Sequence, residues 1–448
     1  MKTYFSLLLY SMVIVGMGYF LPRTAFIPQL TLFSLSFCAY LFLVHSSKKH
    51  KYSFGFIFLS ALLLRLLLIG AWPVLSDDFY RYFFDGQLIG NGINPYAALP
   101  GELLTNGTIP KNIYWETLLN KMNSPNYFSV YPPLHQLFFW ISTRVGEDIF
   151  LNIVSLRSIV LIFEMINLWL IKEILGSLKL SSYRLAWYAF NPLVIMEVTG
   201  NLHFEGMVLT GLLIALFYYS RKNEKMTALG WSLAVGLKLS PLLTAPVWLK
   251  AWNKPDFIKF ALITSISLLV LFAPLLIGGQ LTNFYSSFRL YQSSFEFNAS
   301  MYYGIRWLSG FFIDYNPIGV LGPSLNFIAA ALLLGIGLFK KNVNTSGLAA
   351  KIVWMYLVFL LLQTTVHPWY LIPALGVSLF TVNYLFIVWS GLVFLSYHAY
   401  MDHAYNENLW VVFTEYSLLF ILAVLLIRYR QSAKLDPSSE TRTVLDKL

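Results

Sequence analysis

Cysteine is almost absent from this sequence. Among its 448 residues there is one cysteine, Cys38, which lies inside an apolar stretch. One cysteine can form no disulfide within the chain, and it cannot supply a metal site built from several thiolates. The redox compartment of the protein therefore cannot be inferred from cysteine usage.

Charged residues are also scarce, at 12% of the chain, whereas 57% of the residues are hydrophobic. This composition excludes an ordinary soluble domain and is typical of a polytopic membrane protein. The chain contains neither a GxGxxG string nor a GxxxxGKS or GxxxxGKT string, so it has no nucleotide-binding motif of these kinds. The formal charge of +10 comes from short basic clusters between apolar runs, which indicates membrane topology and a lipid bilayer partner, not nucleic acid.

Apolar runs with lengths near those of membrane helices recur along the chain. They cover residues 4–20, 27–44, 54–74, 150–171, 185–198, 204–219, 258–277, 318–339, 352–366, 371–388 and 409–427. We therefore predict an all-α polytopic membrane protein with about 11 to 14 transmembrane helices. One integral membrane domain is expected over residues 1–430, followed by a polar cytoplasmic tail over residues 431–448.

Two further stretches are ambiguous. Residues 131–145 form a short amphipathic segment, which favours a helix lying at the outer membrane interface. Residues 226–250 carry basic residues at both ends, so this segment either spans once against the charge rule or folds back at Pro241. If the segment folds back, Lys238 would lie deep within the membrane.

The basic clusters orient the helices, because cytoplasmic loops collect Lys and Arg. One topology, with both termini inside, places all five clusters in the cytoplasm: Lys48, Lys49 and Lys51; Lys172, Lys179 and Arg184; Arg221, Lys222 and Lys225; Lys340 and Lys341; Arg428 and Arg430. The opposite face then receives residues 76–130, 191–203, 278–316, the turn at His367, and residues 401–408. These outer segments hold most of the unusual polar residues.

The first outer loop, residues 76–130, is too long for a simple connection. It begins with three carboxylates, Asp77, Asp78 and Asp85, among six aromatic rings. Carboxylates are costly near hydrocarbon, so this pattern favours a water-filled site. Rings mixed with polar groups suit a sugar, whose C–H faces stack while its hydroxyls take hydrogen bonds. A solvated helix end beside an aromatic belt at the interface is the alternative interpretation.

Other candidate site residues fall in the later outer segments. Glu197, His203 and Glu205 cluster at a helix end and fit either a solvated loop or a site. His203 and Glu205 lie two residues apart, so they do not share a helix face, and their spacing is poor for an HExxH metal site. Lys238 is a single charge in an apolar stretch, which fits either a snorkelling side chain or a counter-charge for a buried phosphate. His367 precedes Pro368 at a helix junction and fits either a capped core residue or a site residue. Arg306 lies in the 278–316 loop and suits either a surface position or a substrate contact.

Taken in order, these motifs resemble one family. Asp78 before Tyr80 and Tyr82, then Asp85-Gly86 and Gly92-x-Asn94-Pro95-Tyr96, is similar to the first-loop signature of GT-C-fold, polyprenyl-phosphate-mannose-dependent mannosyltransferases. Later pieces follow in the same order, namely YPPL from Tyr131, NPL from Asn191 with Glu197 and His203 after it, GLKLSP around Lys238, and HPWYL from His367 through Trp369 and Tyr370. The family usually has one helix before its catalytic loop, whereas this chain has three apolar runs.

The resemblance implies a GT-C-like bundle whose long first loop is catalytic and faces away from the cytoplasm. It implies an inverting transfer in which Asp78, or its neighbour Asp77, deprotonates the acceptor hydroxyl, and the lipid phosphate leaves. Adjacent carboxylates raise each other's proton affinity, which would help one of them act as the base. Lys238 and His367 match positions near the donor phosphate, where they would stabilise the departing charge. The remaining substrate-binding candidates are Tyr80, Tyr82, Asp85, Asn94, Tyr96, Tyr131, Glu197, His203, Glu205, Arg306, Trp369 and Tyr370.

The expected substrates are a polyprenyl-phosphate sugar donor, with mannose as the sugar, and a glycan or glycolipid acceptor. No cofactor is expected, and a divalent metal is left open. We expect a bacterial inner membrane with the active site on the periplasmic side. Two rival functions remain at this point: a transporter or flippase of lipid-linked sugars, and an oligosaccharide polymerase or ligase with a lipid-pyrophosphate donor. A transporter should hold its charges near the bilayer midplane, whereas here most cluster at one face.

Overall fold

The computed structural model describes residues 2–339, 344–402 and 404–435. The predicted cluster at Lys340 and Lys341 and the last part of the predicted tail, residues 436–448, lie outside the described residues. Within the described residues the chain is helical and contains no β-strand, apart from one isolated bridge between Phe297 and Thr365. The expectation of an all-α polytopic membrane protein is confirmed.

The first part of the chain forms a pair of long helices, a third helix, and the outer loop with its short helices. These are α1 Lys2–Tyr19, α2 Phe26–His50, α3 Phe54–Leu66, α4 Asp78–Gly90, α5 Pro100–Thr105, α6 Ile113–Lys121, α7 Pro133–Ser142 and α8 Ile149–Ser177. The helix predicted in residues 131–145 is therefore present as α7.

The middle of the chain alternates short and long helices. These are α9 Ala186–Ala189, α10 Pro192–Val194, α11 Glu205–Ser220, α12 Glu224–Leu237, α13 Ala245–Trp248, α14 Lys254–Ile277, α15 Leu281–Ser294 and α16 Met301–Ser309. The last part contains α17 Ile318–Leu338, α18 Thr345–Leu362, α19 Ile372–Ser378, α20 Leu385–Leu392 and α21 Leu409–Leu435. Single 3-10 turns at Thr143–Val145, Ser182–Leu185, Ser240–Thr244, Pro368–Leu371 and Val393–Met401 and a π-helix at Ile195–Gly200 join some of them.

Six of the described helices are long and apolar enough to cross a membrane. They are Phe26–His50, Ile149–Ser177, Lys254–Ile277, Ile318–Leu338, Thr345–Leu362 and Leu409–Arg428. A seventh arises if the bent pair Pro192–Gly200 and Glu205–Ser220, which meet at 112°, counts as one span. This number is lower than the number of apolar runs, because several runs fold as short or broken helices.

The run at residues 185–198 is one that breaks. Pro192 has no backbone N–H and disfavours a helical conformation at Asn191, so α9 ends and a new helix starts. The Asn191 side chain caps that start by accepting hydrogen bonds from the backbone N–H groups of Leu193 and Val194, at 3.0 and 3.3 Å. The chain then widens into the π-helix and turns sharply at Leu202, whose φ of 64° is unusual for a branched residue. This break carries Glu197 and His203.

The segment 226–250 folds back along α11 and α12. Trp231, in the middle of α12, donates from Nε1 to the Thr244 hydroxyl at 2.9 Å. The segment that follows α12 therefore returns alongside this helix. The break comes at Lys238, and Pro241 begins the next turn, where its missing N–H costs nothing. The close packing of α11 on α12 depends on glycine, since a Cβ on Gly211 would lie 2.6 Å from the backbone nitrogen of Ala234.

Buried arginines satisfy the backbone groups that the break at residues 190–204 leaves free. Arg157 on α8 is fully buried and donates to the carbonyl oxygens of Thr199, Gly200 and Ile69 at 2.6, 2.8 and 2.8 Å. Arg65 on α3 likewise donates to the carbonyl oxygen of Ala189 at 2.9 Å. In an apolar environment an unpaired carbonyl is costly, so these side chains allow irregular backbone inside the bundle.

Replacing Arg157 by Met should therefore destabilise the protein strongly. Three buried carbonyl oxygens would lose their donor, at a total cost of about 3 kcal/mol or more. Arg157→Lys keeps the charge but presents a single ammonium group, so the stability of this variant should lie between those of the wild-type and Arg157→Met proteins. Thermal unfolding of the detergent-solubilised protein measures the difference.

The matched control is Lys172→Met, also on α8. Lys172 pairs with Glu173, and both side chains are partly exposed, at 45% and 30%. Its removal should cost less than about 1 kcal/mol. An Arg157→Met protein that unfolds at the wild-type temperature would contradict the role assigned to Arg157.

Candidate active site

Asp78 is the first residue of α4 and lies near the start of the first loop, residues 76–130. One carboxylate oxygen, Oδ1, accepts a hydrogen bond of 2.7 Å from the Asn123 side chain. Within the part of the chain that is described, Oδ2 has no hydrogen-bond partner, and Asp78 is partly exposed. The carboxylate therefore has one oxygen bonded to an amide and one oxygen available.

Asp77 is held differently. Its Oδ2 lies 2.5 Å from Nη1 of Arg23, which comes from the turn between α1 and α2. The second terminal nitrogen of Arg23, Nη2, donates to the Tyr405 hydroxyl at 2.8 Å, in the outer turn before α21. The two adjacent carboxylates therefore differ, since Asp77 is ion-paired and Asp78 is bound to an amide.

Four aromatic side chains from three outer segments form a continuous stack. Trp369 lies between His203 and His367, with ring centroids 3.6 and 4.4 Å apart and planes within 18° and 4°. His367 continues the stack onto Phe297, at 4.8 Å. Glu197 fixes the far end, because its Oε2 lies 3.1 Å from Nδ1 of His203. The stack brings the predicted residues Glu197, His203, His367 and Trp369 together.

Lys238 lies beside this stack. Its ammonium forms an ion pair with Glu205, the first residue of α11, and sits 4.6 Å from the centroid of the Tyr370 ring. The Lys238 side chain is 29% exposed, and its ammonium is held at the edge of the site by the ion pair with Glu205. Burial lowers the pKa of His367 to about 3, helped by the nearby His203 and Lys238, so its imidazole is neutral.

Tyr82 lies near both Asp78 and Glu205, the residue that pairs with Lys238. Its ring stacks on Phe139 at 4.4 Å and meets the Tyr131 ring edge-on at 5.1 Å. Burial raises the pKa of the Tyr82 hydroxyl, and Tyr131 and the negative charges of Asp78 and Glu205 add to the effect. Asp78 thus lies on the same side of the molecule as Glu205 and Lys238. Tyr80 packs nearby, with the ammonium of Lys121 5.9 Å from its ring.

Three predicted substrate-binding residues of the first loop are already engaged by the protein. Asp85 is fully buried and accepts hydrogen bonds from Arg81, Ser129 and Gln136 at 2.7, 2.6 and 2.8 Å. Asn94 accepts from the backbone N–H of Tyr96 in a turn, and the Tyr96 hydroxyl donates to the Tyr131 carbonyl at 2.6 Å. These contacts hold the loop together, and a substrate role for the three residues stays a prediction.

Arg306 belongs to a separate cluster. It forms an ion pair with Glu296 and lies 4.8 Å from the Tyr303 ring, and these residues pack toward α17 and α21. Phe297 connects this cluster to the ring stack through its backbone bridge with Thr365. The structure therefore brings together most of the predicted site residues but leaves Arg306 outside the group.

The site's sequence matches a known family. Residues 25–254 fit the family model described as the MptA_B family, alpha-(1->6)-mannopyranosyltransferase, N-terminal domain. The chain belongs to this family. The matched segment contains Asp77, Asp78, Glu197 and Lys238, whereas His367 lies beyond it.

Two curated proteins are similar to this chain. It is 28% identical over 197 residues to alpha-(1->6)-mannopyranosyltransferase A of Corynebacterium glutamicum, covering 41% of this chain and 36% of the relative. It is 28% identical over 161 residues to an alpha-(1->6)-mannopyranosyltransferase of Mycobacterium tuberculosis, covering 34% of this chain and 26% of the relative. The chain thus spans about a third or less of the length of these relatives in the matched regions. No solved structure matches the chain.

Several residues of this MptA_B-family site were missed in the sequence. Arg23 could have been found, because the charge topology puts it in an outer turn, where a basic residue is unusual. Asn123 and Tyr397, whose hydroxyl donates to Glu197 at 2.5 Å, gave no such signal. His135 is fully buried, with neither ring nitrogen paired among the described residues, and its ring centroid is 3.7 Å from that of Phe204. Among the described residues, no group of three or more His, Cys, Asp or Glu is arranged to hold a metal ion.

The neutral His367 predicts how stability depends on pH. Its pKa is about 3 in the folded protein, whereas an unfolded histidine has a pKa near 6.5. The unfolded chain binds this proton at a higher pH than the folded protein does. The free energy of unfolding is therefore unaffected by His367 above about pH 6.5 and decreases as the pH falls below that value. Between pH 7.5 and 5 the loss from His367 should be roughly 2 kcal/mol.

Thermal unfolding in detergent at these two pH values measures the loss. His367→Gln should reduce the drop, because glutamine does not titrate. The exposed His50 provides the control, and His50→Gln should leave the drop unchanged. An equal drop in wild type and His367→Gln would contradict the assignment of a neutral, buried imidazole.

Proposed function

We propose that this protein is a membrane mannosyltransferase that moves mannose from a polyprenyl-phosphate donor to a hydroxyl of a glycan or glycolipid acceptor. The observation that carries the proposal is Asp78, a carboxylate with one available oxygen, on the same side of the molecule as Lys238 and the imidazole stack, in a chain of this family. The names of the two relatives support mannose as the sugar. Transport of a lipid-linked sugar would leave the available carboxylate without a role.

The proposed reaction is an inverting displacement at the anomeric carbon of the donor. Asp78 takes the proton of the acceptor hydroxyl as that oxygen attacks the anomeric carbon. The bond between the anomeric carbon and the phosphate oxygen breaks, and its electron pair stays on the phosphate. The products are the mannosylated acceptor and polyprenyl phosphate, and the proton leaves from Asp78 to solvent.

Asp78 suits the role of base better than Asp77. The Asp77 carboxylate is ion-paired with Arg23 at 2.5 Å, so moving a proton onto it would give up that ion pair. Among the described residues, the side chain of Asp78 has one hydrogen-bond partner, the neutral amide of Asn123, which orients the carboxylate without neutralising it. The like-charge effect expected from two adjacent carboxylates is reduced by the same Arg23.

Lys238 and His367 are proposed to receive the departing phosphate. The ammonium of Lys238 would offset the charge that develops on the leaving oxygen, in surroundings of low dielectric. His367 is neutral, so it would act through a hydrogen bond and not through charge. Its Nδ1 is buried without a partner among the described residues, which makes Nε2 the nitrogen available for a phosphate contact.

The aromatic side chains Tyr80, Tyr82, Tyr131 and Tyr370 would contact the sugars, with Glu197, His203 and Glu205 contributing polar contacts. The proposed location is the inner membrane of a bacterium, with the site on the periplasmic side. The polyprenyl tail would lie in the bilayer and the sugar in the wet outer part of the site. The reaction as proposed uses no cofactor.

Asp78→Asn should reduce transfer by about 10³-fold, because the amide cannot accept the proton. The assay uses the purified protein with radiolabelled polyprenyl-phosphate mannose and a total lipid extract as acceptor. Expression and thermal stability should stay close to wild type, since the partly exposed Asp78 side chain makes one hydrogen bond among the described residues, and asparagine can replace it there.

Two further variants sharpen this test. Asp256→Asn changes another aspartate at a helix start, far along the chain in α14, and should leave the rate unchanged. Asp77→Asn should cost less than tenfold at neutral pH. If Asp77→Asn abolishes transfer while Asp78→Asn retains it, the base is Asp77.

Lys238→Ala should raise the KM for the donor by about 10- to 100-fold, the value of a hydrogen bond to a charged group. The KM for the acceptor should change much less. Lys259→Ala, at an exposed position on α14, is the control for loss of a lysine. Equal effects of Lys238→Ala on the two substrates would contradict a phosphate contact.

A further inference from the structure

Arg23 connects three outer segments that are distant in sequence. It follows α1 and precedes α2, and its guanidinium lies 2.5 Å from the carboxylate of Asp77. It also donates to the Tyr405 hydroxyl, 382 residues away, at 2.8 Å. Its central carbon lies 5.7 Å from the ring of Tyr400 and 5.5 Å from that of Tyr405, which are cation–π distances.

The position of this guanidinium matters because Asp77 directly precedes Asp78 in the chain. Two neighbouring carboxylates repel each other, so an uncompensated Asp77 would make it harder for Asp78 to lose its proton. The side chains of Arg23 and Asp77 are 29% and 26% exposed, so water screens their pairing only in part. Arg23 therefore controls how much negative charge Asp78 experiences.

We propose that Arg23 is a positioning residue that neutralises Asp77 and so makes Asp78 the single base of the site. Arg23 touches neither of the proposed substrates' reacting atoms, and it acts through Asp77. The proposal rests on the proposed function, because it assumes that Asp78 takes the acceptor proton. Through Tyr405, the same contact ties the outer turn before α21 to the first loop.

The charge argument predicts opposite effects for the two single variants. Arg23→Gln leaves Asp77 as an unpaired anion beside Asp78, so the acid limb of the pH–rate profile should move to higher pH by about one unit. Asp77→Asn leaves Arg23 as an unpaired cation, so the acid limb should move to lower pH. The double variant Arg23→Gln/Asp77→Asn removes both charges, and its acid limb should return close to the wild-type position.

Other charged and titratable groups face the two carboxylates and must stay unchanged in this comparison. They are Tyr80 near Asp77, and Tyr82, Tyr131 and Tyr400 near Asp78. Lys121 lies beside Tyr80, Glu197 lies near Tyr400, and Tyr405 contacts Arg23. All variants retain them, so shifts between variants report on Arg23 and Asp77.

The experiment measures transfer from polyprenyl-phosphate mannose between pH 4.5 and 9 with the wild-type chain and four variants, namely Arg23→Gln, Asp77→Asn, the double variant and Arg23→Lys. At a pH one unit below the wild-type midpoint, Arg23→Gln should be about tenfold slower than wild type, and at high pH it should approach the wild-type rate. Arg23→Lys keeps the charge, so its acid limb should match that of wild type even if its rate falls.

A purely structural role for Arg23 would give a different result. It would lower the rate by the same factor at every pH and leave the acid limb in place, which would overturn the proposal. If Arg23→Gln does not fold, the downward shift in Asp77→Asn tests the same charge argument, and an unmoved limb there overturns it. Failure of the proposed function is recognised separately, since the wild-type protein would then transfer no mannose, and failure of the base assignment is recognised by full activity of Asp78→Asn.

Discussion

The site depends on one constraint, which is that the broken helix at residues 190–204 must have its backbone groups paired inside an apolar bundle. Lipid offers no hydrogen bonds, so irregular backbone at this depth exists only where protein side chains supply them. Arg157 donates to the carbonyl oxygens of Thr199 and Gly200 within the break, and the Tyr10 hydroxyl donates to that of Phe190. The Tyr40 hydroxyl donates to the carbonyl oxygen of Trp187, just before the break. These donors come from α1, α2 and α8, so these helices help to hold the break in position.

The break in turn positions the polar side chains. A continuous helix would have carried Glu197 and His203 to different faces, whereas the π-helix and the turn at Leu202 bring their side chains within 3.1 Å. His203 can then stack on Trp369, which stacks on His367, so one local irregularity aligns residues from two distant outer segments. Backbone strain at Leu202 is maintained by the packing around it.

Much of the site could be predicted from the sequence because its motifs are local. The helix start at Asp78, the Asn191-Pro192 break and the Lys238-Leu239-Ser240-Pro241 turn each follow from residue chemistry within a few positions. Their partners could not be predicted. Asp77 pairs with Arg23 and Glu205 pairs with Lys238, at separations of 54 and 33 residues, and no local rule selects these pairs. Asp85 and Tyr96, which the sequence predicts to bind substrate, have polar groups that are already bonded to distant residues of the protein, and no local pattern indicates these bonds.

The sequence by itself determined the membrane class, the helical fold and the order of the polar motifs, because hydrophobic length and charge distribution act locally along the chain. It also determined the family to which the chain belongs. Only the tertiary structure decided which apolar runs are broken and which carboxylate of the adjacent pair keeps an oxygen available. The physical reason is that hydrogen bonds and ion pairs between distant segments set the charge state and exposure of each side chain, and these contacts exist only after the helices pack.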